Sequence, residues 1–282
     1  MAVAAREALV DTDFVAANLM NPAIRVLDVD EDTAAFARGH IPGALGIHWK
    51  NDLQDPIRRD FVGPDGFAAL MDRLGITNDT EVVLYGGTNN WFAAYAYWYF
   101  KYYGHEPVRL MDGGRKKWEL EKRELTTETP NVEASSGYQT KEPAYDIRAL
   151  RKFVEDTVLG NSRFGLVDVR SPEEYRGELL APPHLPQEQA QKPGHIPGAM
   201  NIPWAKAVDQ ATGAFLPDAE LRALYEGQAI TPDKEIVAYC RIGERSAHTW
   251  FVLHELLGYP RVRNYDGSWT EWGSMVGVPI ER

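Results

Sequence analysis

The segment Gly39-His40-Ile41-Pro42-Gly43-Ala44 is repeated without change as Gly194-His195-Ile196-Pro197-Gly198-Ala199. Further matches keep the same order along the chain: residues 26–29 with 166–169, 81–85 with 235–239, 111–114 with 265–268, and Trp118 with Trp272. A repeat of this length indicates two similar domains rather than a solenoid, whose repeats are about 20–50 residues long.

Each copy alternates short apolar runs with segments of helical periodicity. Residues 26–29, 82–85, 167–169 and 236–239 suit buried parallel strands, and residues 67–74 and 221–225 have helical spacing. This alternation predicts an α/β fold of two tandem domains, each a mainly parallel sheet with helices on both faces. We place the domains at residues 1–122 and 146–282, joined by a linker at 123–145 that is rich in Glu, Thr, Pro and Ser. A proline-rich insertion at 178–192 predicts a loop in the second copy.

The composition limits the function. The 282 residues carry 41 acidic and 30 basic side chains, so a net charge of -11 argues against binding a nucleic-acid backbone. The single cysteine excludes an internal disulfide and suits a reducing compartment. We see no export signal, and the apolar run at 91–103 is too short to span a membrane and suits a buried helix. We therefore expect a cytoplasmic protein that acts on small molecules, with no membrane, metal or cofactor. Its oligomeric state is not predicted.

The most informative segment is Cys240-Arg241-Ile242-Gly243-Glu244-Arg245-Ser246. An apolar strand ends just before Cys240, Ser246 is a plausible helix N-cap, and Gly258 suits the end of that helix. Cys240 is therefore expected at the carboxyl edge of a parallel sheet, where open α/β sheets bind ligands.

This placement predicts a reactive thiolate. Backbone amides of a tight loop, the helix dipole and the charges of Arg241 and Arg245 all lower the pKa of a cysteine thiol. The same loop, with Ile242, Gly243, Glu244 and Ser246, would cradle a small dianion, and Arg245 could grip two of its oxygens. The first copy has Gly86-Gly87-Thr88-Asn89-Asn90-Trp91 at this position, so we expect it to be catalytically silent.

These motifs resemble those of the two-domain rhodaneses, the thiosulfate sulfurtransferases, and most closely their actinobacterial CysA-type members. The resemblance extends from about Leu9 to Ile280 and rests on both Gly-His-Ile-Pro-Gly-Ala segments, on Cys240–Ser246 and on the closing Asp266-Gly267-Ser268-Trp269. It implies an active site between the domains and a persulfide on Cys240. Animal members have lysine where this chain has Ile242, and Glu244 would disfavour thiosulfate unless its carboxylate points to solvent.

The resemblance implies transfer of sulfane sulfur from thiosulfate to cyanide or a thiol, without metal or cofactor. Three alternatives stay open: a 3-mercaptopyruvate sulfurtransferase, a persulfide carrier without turnover, and a cysteine phosphatase of the same fold. The mercaptopyruvate enzymes have a Cys-Gly-Ser-Gly loop, which this chain lacks. The phosphatases place five residues between cysteine and arginine, whereas four separate Cys240 from Arg245.

Overall fold

The computed structural model describes residues 6–182 and 189–282. The described residues fall into two compact units. One holds the residues up to Ala144 together with Asp209–Phe215, and the other holds Tyr145–Val208 and Leu216–Arg282. No helix within the described residues combines the length and the apolar character that crossing a membrane requires.

The first unit is built on a parallel sheet in the order β1-β5-β4-β2-β3. Its strands are β1 (Leu9–Val10), β2 (Ile24–Asp28), β3 (Leu45–Gly46), β4 (Glu81–Tyr85) and β5 (Val108–Met111). Its helices are α1 (Thr12–Ala17), α2 (Ala35–Arg38), α3 (Trp49–Asp52), α4 (Pro64–Arg73), α5 (Trp91–Tyr102) and α6 (Gly114–Leu120), with a 3-10 turn at Thr88–Asn90. The prediction of a buried helix in the aromatic run is confirmed by α5, whose Tyr97 and Trp98 are fully buried.

The second unit repeats this sheet in the order β6-β10-β9-β7-β8, again with parallel pairs only. Its strands are β6 (Arg148–Ala149), β7 (Phe164–Asp168), β8 (Met200–Asn201), β9 (Glu235–Tyr239) and β10 (Val262–Tyr265). Its helices are α7 (Arg151–Phe153), α8 (Pro172–Tyr175), α9 (Asp218–Glu226), α10 (Glu244–Phe251) and α11 (Ser268–Trp272). Single π turns extend α7 through Val154–Val158 and α10 through Val252–Leu256, and 3-10 turns lie at Tyr145–Ile147 and Trp204–Ala207.

The central strands are apolar along their length because both faces of a parallel sheet are covered. Within β9, residues 236–239 are fully buried, and the equivalent residues of β4 are buried in the first unit. The predicted α/β class, the predicted strands and the two predicted helical segments are therefore confirmed. Gly258, with φ +69°, follows the end of the α10 extension, as its sequence position predicted.

The repeated Gly-His-Ile-Pro-Gly-Ala segments are fixed to the sheets in the same way. Tyr85 at the end of β4 accepts a hydrogen bond at its hydroxyl from the Ile41 amide, at 3.0 Å. Tyr239 at the end of β9 accepts the equivalent bond from Ile196, at 3.1 Å. The two tyrosines therefore anchor equivalent turns in the two copies.

The histidines of these segments order the chain, as expected. The His40 Nδ1 atom lies 2.9 Å from the Phe36 carbonyl oxygen, and the His195 Nδ1 atom lies 2.8 Å from that of Tyr175. Each imidazole also stacks on the ring of the same partner, with centroids 3.7 and 3.6 Å apart.

The segment predicted as a linker is irregular up to Tyr145 and packs on the first unit. Thr126 exchanges two backbone hydrogen bonds with His40, and the buried Tyr138 hydroxyl bonds the His105 imidazole at 3.0 Å. Of the predicted loop at 178–192, the described parts 178–182 and 189–192 contain no helix or strand. Residues 183–188, including Pro183 and Pro186, lie outside the described residues.

Candidate active site

Cys240 follows directly on β9, at the carboxyl edge of the second sheet, where the sequence predicted it. Its side chain is fully buried. Its amide donates to the Ser268 hydroxyl at 3.0 Å, and its carbonyl accepts from the Trp269 amide at 3.0 Å. The first turn of α11 therefore fixes the backbone on both sides of the sulfur.

A glycine turns the chain back onto the sulfur. Gly243 has φ +101°, and a Cβ atom there would lie 2.7 Å from the Asp266 Cα atom. Both the conformation and the close approach exclude other residues without strain. In this conformation the Gly243 amide donates to Cys240 Sγ at 3.1 Å, while its carbonyl accepts from the Asn264 side chain at 3.0 Å. Cys240–Gly243, hereafter the cysteine loop, thus aims a backbone N–H at the sulfur.

Helix α10 begins at Glu244 with Gly243 as its N-cap, so the prediction of Ser246 as N-cap is wrong. Because a glycine with positive φ can reverse the chain at once, the helix starts earlier than the serine suggested. Ser246 is fully buried instead, and its hydroxyl donates to Asn264 Oδ1 at 2.6 Å. Asn264 therefore clamps the loop and the first turn of α10 together.

The Glu244 carboxylate points at the sulfur and not at solvent. Cys240 Sγ donates to Glu244 Oε2 at 3.4 Å, and the Glu244 side chain is 1% exposed. Its other oxygen lies 3.9 Å from Arg241 Nη2. The condition expected for unimpaired thiosulfate binding, a Glu244 carboxylate that points to solvent, is therefore not met, and the carboxylate is in direct contact with the candidate nucleophile.

This environment changes the acidity of Cys240. Burial, and next the negative charge of Glu244, raise the pKa of the thiol, while the charge of Arg245 and the backbone amide of Ser246 oppose them. The net direction is upward, so the expectation of a thiolate in the resting protein is wrong. The sequence showed the arginines and the loop but not the complete burial, which penalises the charged form.

Arg245 is held by the carboxylate of a glutamate that lies 71 positions away in the sequence. Its Nη1 and Nη2 atoms lie 2.8 and 3.1 Å from the two oxygens of Glu174, and both side chains are buried. Burial is the largest single influence and raises the pKa of Glu174. The charge and hydrogen bonds of Arg245, the charge of Arg170 and the Ser171 amide together outweigh it, so the pKa is lowered. The fork geometry predicted for a substrate is thus formed with Glu174, and substrate binding by Arg245 stays a prediction.

Glu174 could have been found from a local pattern. Ser171-x-x-Glu174 forms a capping box at the start of α8, in which each side chain bonds the other residue's amide. The box orients the Glu174 carboxylate, which also accepts both hydrogen bonds from Arg245. The first copy has tryptophan at the position of Arg245, namely Trp91.

The remaining predicted residues lie in or beside the loop. Arg241 is buried and Ile242 is partly exposed. Arg170, a weaker candidate for substrate contact, is instead bound through its side chain to both Asp168 oxygens and to the Gly194 carbonyl. The structure therefore brings Gly243 and Glu244 into contact with the Cys240 sulfur, whereas Arg170 binds Asp168 and the Gly194 carbonyl.

Comparison with known proteins identifies the family. A model of the rhodanese-like domain matches residues 11–121 and again residues 150–275. A relative from Saccharopolyspora erythraea, named "Putative thiosulfate sulfurtransferase", is 59% identical, with the match covering 98% of this chain and 96% of the relative. A relative from Thermus thermophilus, named "Sulfur carrier protein TtuD", is 57% identical, and the match covers 100% of this chain and 99% of the relative.

Solved structures share the fold. SseA from Escherichia coli, described with the 3-mercaptopyruvate sulfotransferases, has a TM-score of 0.79 at 24% identity, covering 93% of this chain and 98% of that chain. A variant of EanB in complex with ergothioneine has a TM-score of 0.85 at 23% identity, and the match covers 98% of this chain and 70% of the EanB chain. Since the domain model matches twice, once on each sheet, and the relatives are more than half identical, the chain belongs to the rhodanese-like family.

Proposed function

We propose that this chain is a thiosulfate sulfurtransferase that carries sulfur as a persulfide on Cys240. The observation that supports this most directly is the position of the Cys240 sulfur. It lies just after the end of β9, in a loop whose Gly243 amide donates to it at 3.1 Å. The name of the Saccharopolyspora erythraea relative supports the choice of thiosulfate as donor.

The reaction is a double displacement. Cys240 sulfur attacks the outer sulfur of thiosulfate, a new S–S bond forms, and the S–S bond of thiosulfate breaks as sulfite leaves with the electron pair. An acceptor, cyanide or a thiolate, then attacks the outer sulfur and releases the cysteine. A covalent intermediate of this kind predicts ping-pong kinetics.

The loop residues supply the charge and the donors that the reaction needs. The Gly243 amide stabilises negative charge on the cysteine sulfur. We assign the donors for thiosulfate and for the departing sulfite to the backbone around Ile242, Glu244 and Ser246 and to the charges of Arg241 and Arg245. The single cysteine, which suits a reducing compartment, supports our proposal that the reaction takes place in the cytoplasm.

A persulfide carrier that hands sulfur to a partner is the second candidate, because the Thermus thermophilus relative carries that name. Both functions load Cys240, but only the enzyme turns over repeatedly with thiosulfate and cyanide. Thiocyanate formed in large molar excess over protein supports the enzyme. Thiocyanate formation limited to one equivalent per protein chain supports the carrier.

Mass spectrometry of the intact protein after thiosulfate treatment tests the shared step. We expect a gain of one sulfur atom, located on the peptide with Cys240 and reversed by cyanide. Cys240→Ser should show neither the gain nor thiocyanate formation, while Glu220→Gln, a change on the exposed side of α9, should show both. A sulfur gain in Cys240→Ser would refute the assignment.

A further inference from the structure

A buried carboxylate in contact with a buried thiol raises the question of where the thiol proton goes. Cys240 Sγ accepts from the Gly243 amide and donates to Glu244 Oε2, so both hydrogen-bonding functions of the thiol are in use. Side-chain exposure is 0% for Cys240 and 1% for Glu244. The thiol proton therefore points at a carboxylate oxygen.

The first copy shows that the fold does not need a carboxylate here. Asn90 occupies the position of Glu244, and its side chain accepts from the Gly86 amide at 2.9 Å and donates to the Met111 carbonyl at 2.7 Å. In the second copy the Ser268 hydroxyl makes the same bridge, accepting from the Cys240 amide and donating to the Tyr265 carbonyl. The backbone bridge is thus complete without residue 244.

The residue that makes the bridge differs for a steric reason. Position 268 corresponds to Gly114 in the first copy, where a Cβ atom would lie 2.2 Å from Asn90 Oδ1. Serine at this position takes over the bridge despite a positive φ of +53°, which is uncommon for a residue with a side chain. The second copy thereby leaves the Glu244 side chain to reach the sulfur.

Charge balance favours keeping the proton inside this pair. The charged groups close to it include Arg241, 3.9 Å from Glu244, and Arg245, whose charge is matched by Glu174 on α8. His248, one turn further along α10, is a further buried titratable group on the same helix. The Arg170 charge, which also acts on Glu174, is matched by Asp168. Losing the thiol proton to solvent would place two negative charges side by side in a buried site, which costs free energy. Moving it to Glu244 leaves the charge of the pair unchanged.

We propose that Glu244 accepts the Cys240 proton as the sulfur attacks and returns it when the cysteine is released; this inference rests on the proposed function. In the first half-reaction the proton moves to Glu244 Oε2 while the new S–S bond forms and sulfite leaves. The persulfide then carries one negative charge beside a neutral carboxyl. In the second half-reaction the acceptor forms a bond to the outer sulfur, the S–S bond between that sulfur and Cys240 Sγ breaks, and Sγ recovers the proton from Glu244.

The test compares the rate of persulfide formation with the amount of thiolate over a range of pH. A rapid-quench experiment read by mass gain gives the single-turnover rate with thiosulfate. The ultraviolet absorbance of the thiolate, measured as a difference from Cys240→Ser, gives the ionised fraction. The variants are wild type, Glu244→Gln, which keeps the shape but cannot take up the proton, and Glu220→Gln as an exposed control.

In the wild type we expect fast persulfide formation where no thiolate is visible, with a rate that varies less than about twofold between about pH 6 and pH 8. In Glu244→Gln we expect the rate to follow the thiolate fraction, about tenfold per pH unit below the pKa of its thiol. Glu220→Gln should behave as the wild type.

A wild-type rate that rises in proportion to its thiolate absorbance overturns the inference, and this comparison stands even if Glu244→Gln does not fold. In that result persulfide still forms, so the proposed function survives. If no protein gains sulfur from thiosulfate at any pH, the proposed function itself fails and the inference with it.

Discussion

Removing the charge of Glu174 tests the buried ion pair that fixes Arg245 beside the cysteine loop. The side chains of Glu174 and Arg245 are 0% and 4% exposed, and two hydrogen bonds of 2.8 and 3.1 Å join them. Glu174→Gln keeps the shape but leaves the guanidinium buried without the carboxylate that pairs with it. Removing one partner of a buried pair costs about 3–5 kcal/mol, and since glutamine retains one acceptor we expect about 3 kcal/mol.

Differential scanning calorimetry is the appropriate assay because two units need not unfold together. A loss of about 3 kcal/mol lowers the transition temperature of a domain of about 140 residues by roughly 10 °C. Asp156→Asn is the matched control, because it removes the exposed pair with Lys152, whose side chains are 52% and 80% exposed. We expect no measurable shift in the control.

The pH dependence gives a second readout with a defined sign. Because the folded pKa of Glu174 is lowered, its contribution is fully present above the ordinary carboxyl pKa of about 4.3 and is lost as the pH falls through the lower folded value. The difference between wild type and Glu174→Gln should therefore be constant from neutral pH to about pH 5 and shrink below it. A variant that melts with the wild type, or no lower than the Asp156→Asn control, would refute the reasoning.

Three further predictions concern the cysteine loop. Because burial and Glu244 raise the pKa of Cys240, its thiolate absorbance should appear with a midpoint above about 8.5 in a spectroscopic titration; a midpoint near neutrality would contradict the raised pKa. Gly243→Ala should destabilise the second unit by about 2–3 kcal/mol and slow persulfide formation, as measured by melting and rapid quench, since φ +101° and the approach to Asp266 both oppose a Cβ atom. Ser268→Ala should cost about 1–3 kcal/mol and speed hydrogen exchange of the Cys240 amide, which loses its acceptor; unchanged exchange would contradict this.

The residues that make the fold predictable act over short distances along the chain. Apolar runs such as residues 236–239 form strands because a parallel sheet buries both faces, and this property can be read from a few consecutive residues. The repeated Gly-His-Ile-Pro-Gly-Ala segment predicts two copies, and the apolar run before Cys240 predicts its position at the end of a strand. The prediction of Ser246 as the N-cap of α10 was wrong, since the sequence does not show that Gly243 adopts a positive φ and caps the helix itself.

The largest influence on the charge state of the site, complete burial of Cys240, was decided by tertiary structure. Arg245 meets Glu174 across 71 positions of sequence, and Ser268 reaches the Cys240 amide across 28. Complete burial, rather than these contacts, is the largest cause that raises the thiol pKa, because desolvation depends on everything packed around a group and not on its neighbours in sequence. The sequence by itself determined where the sulfur lies, and the packing determined where its proton is held.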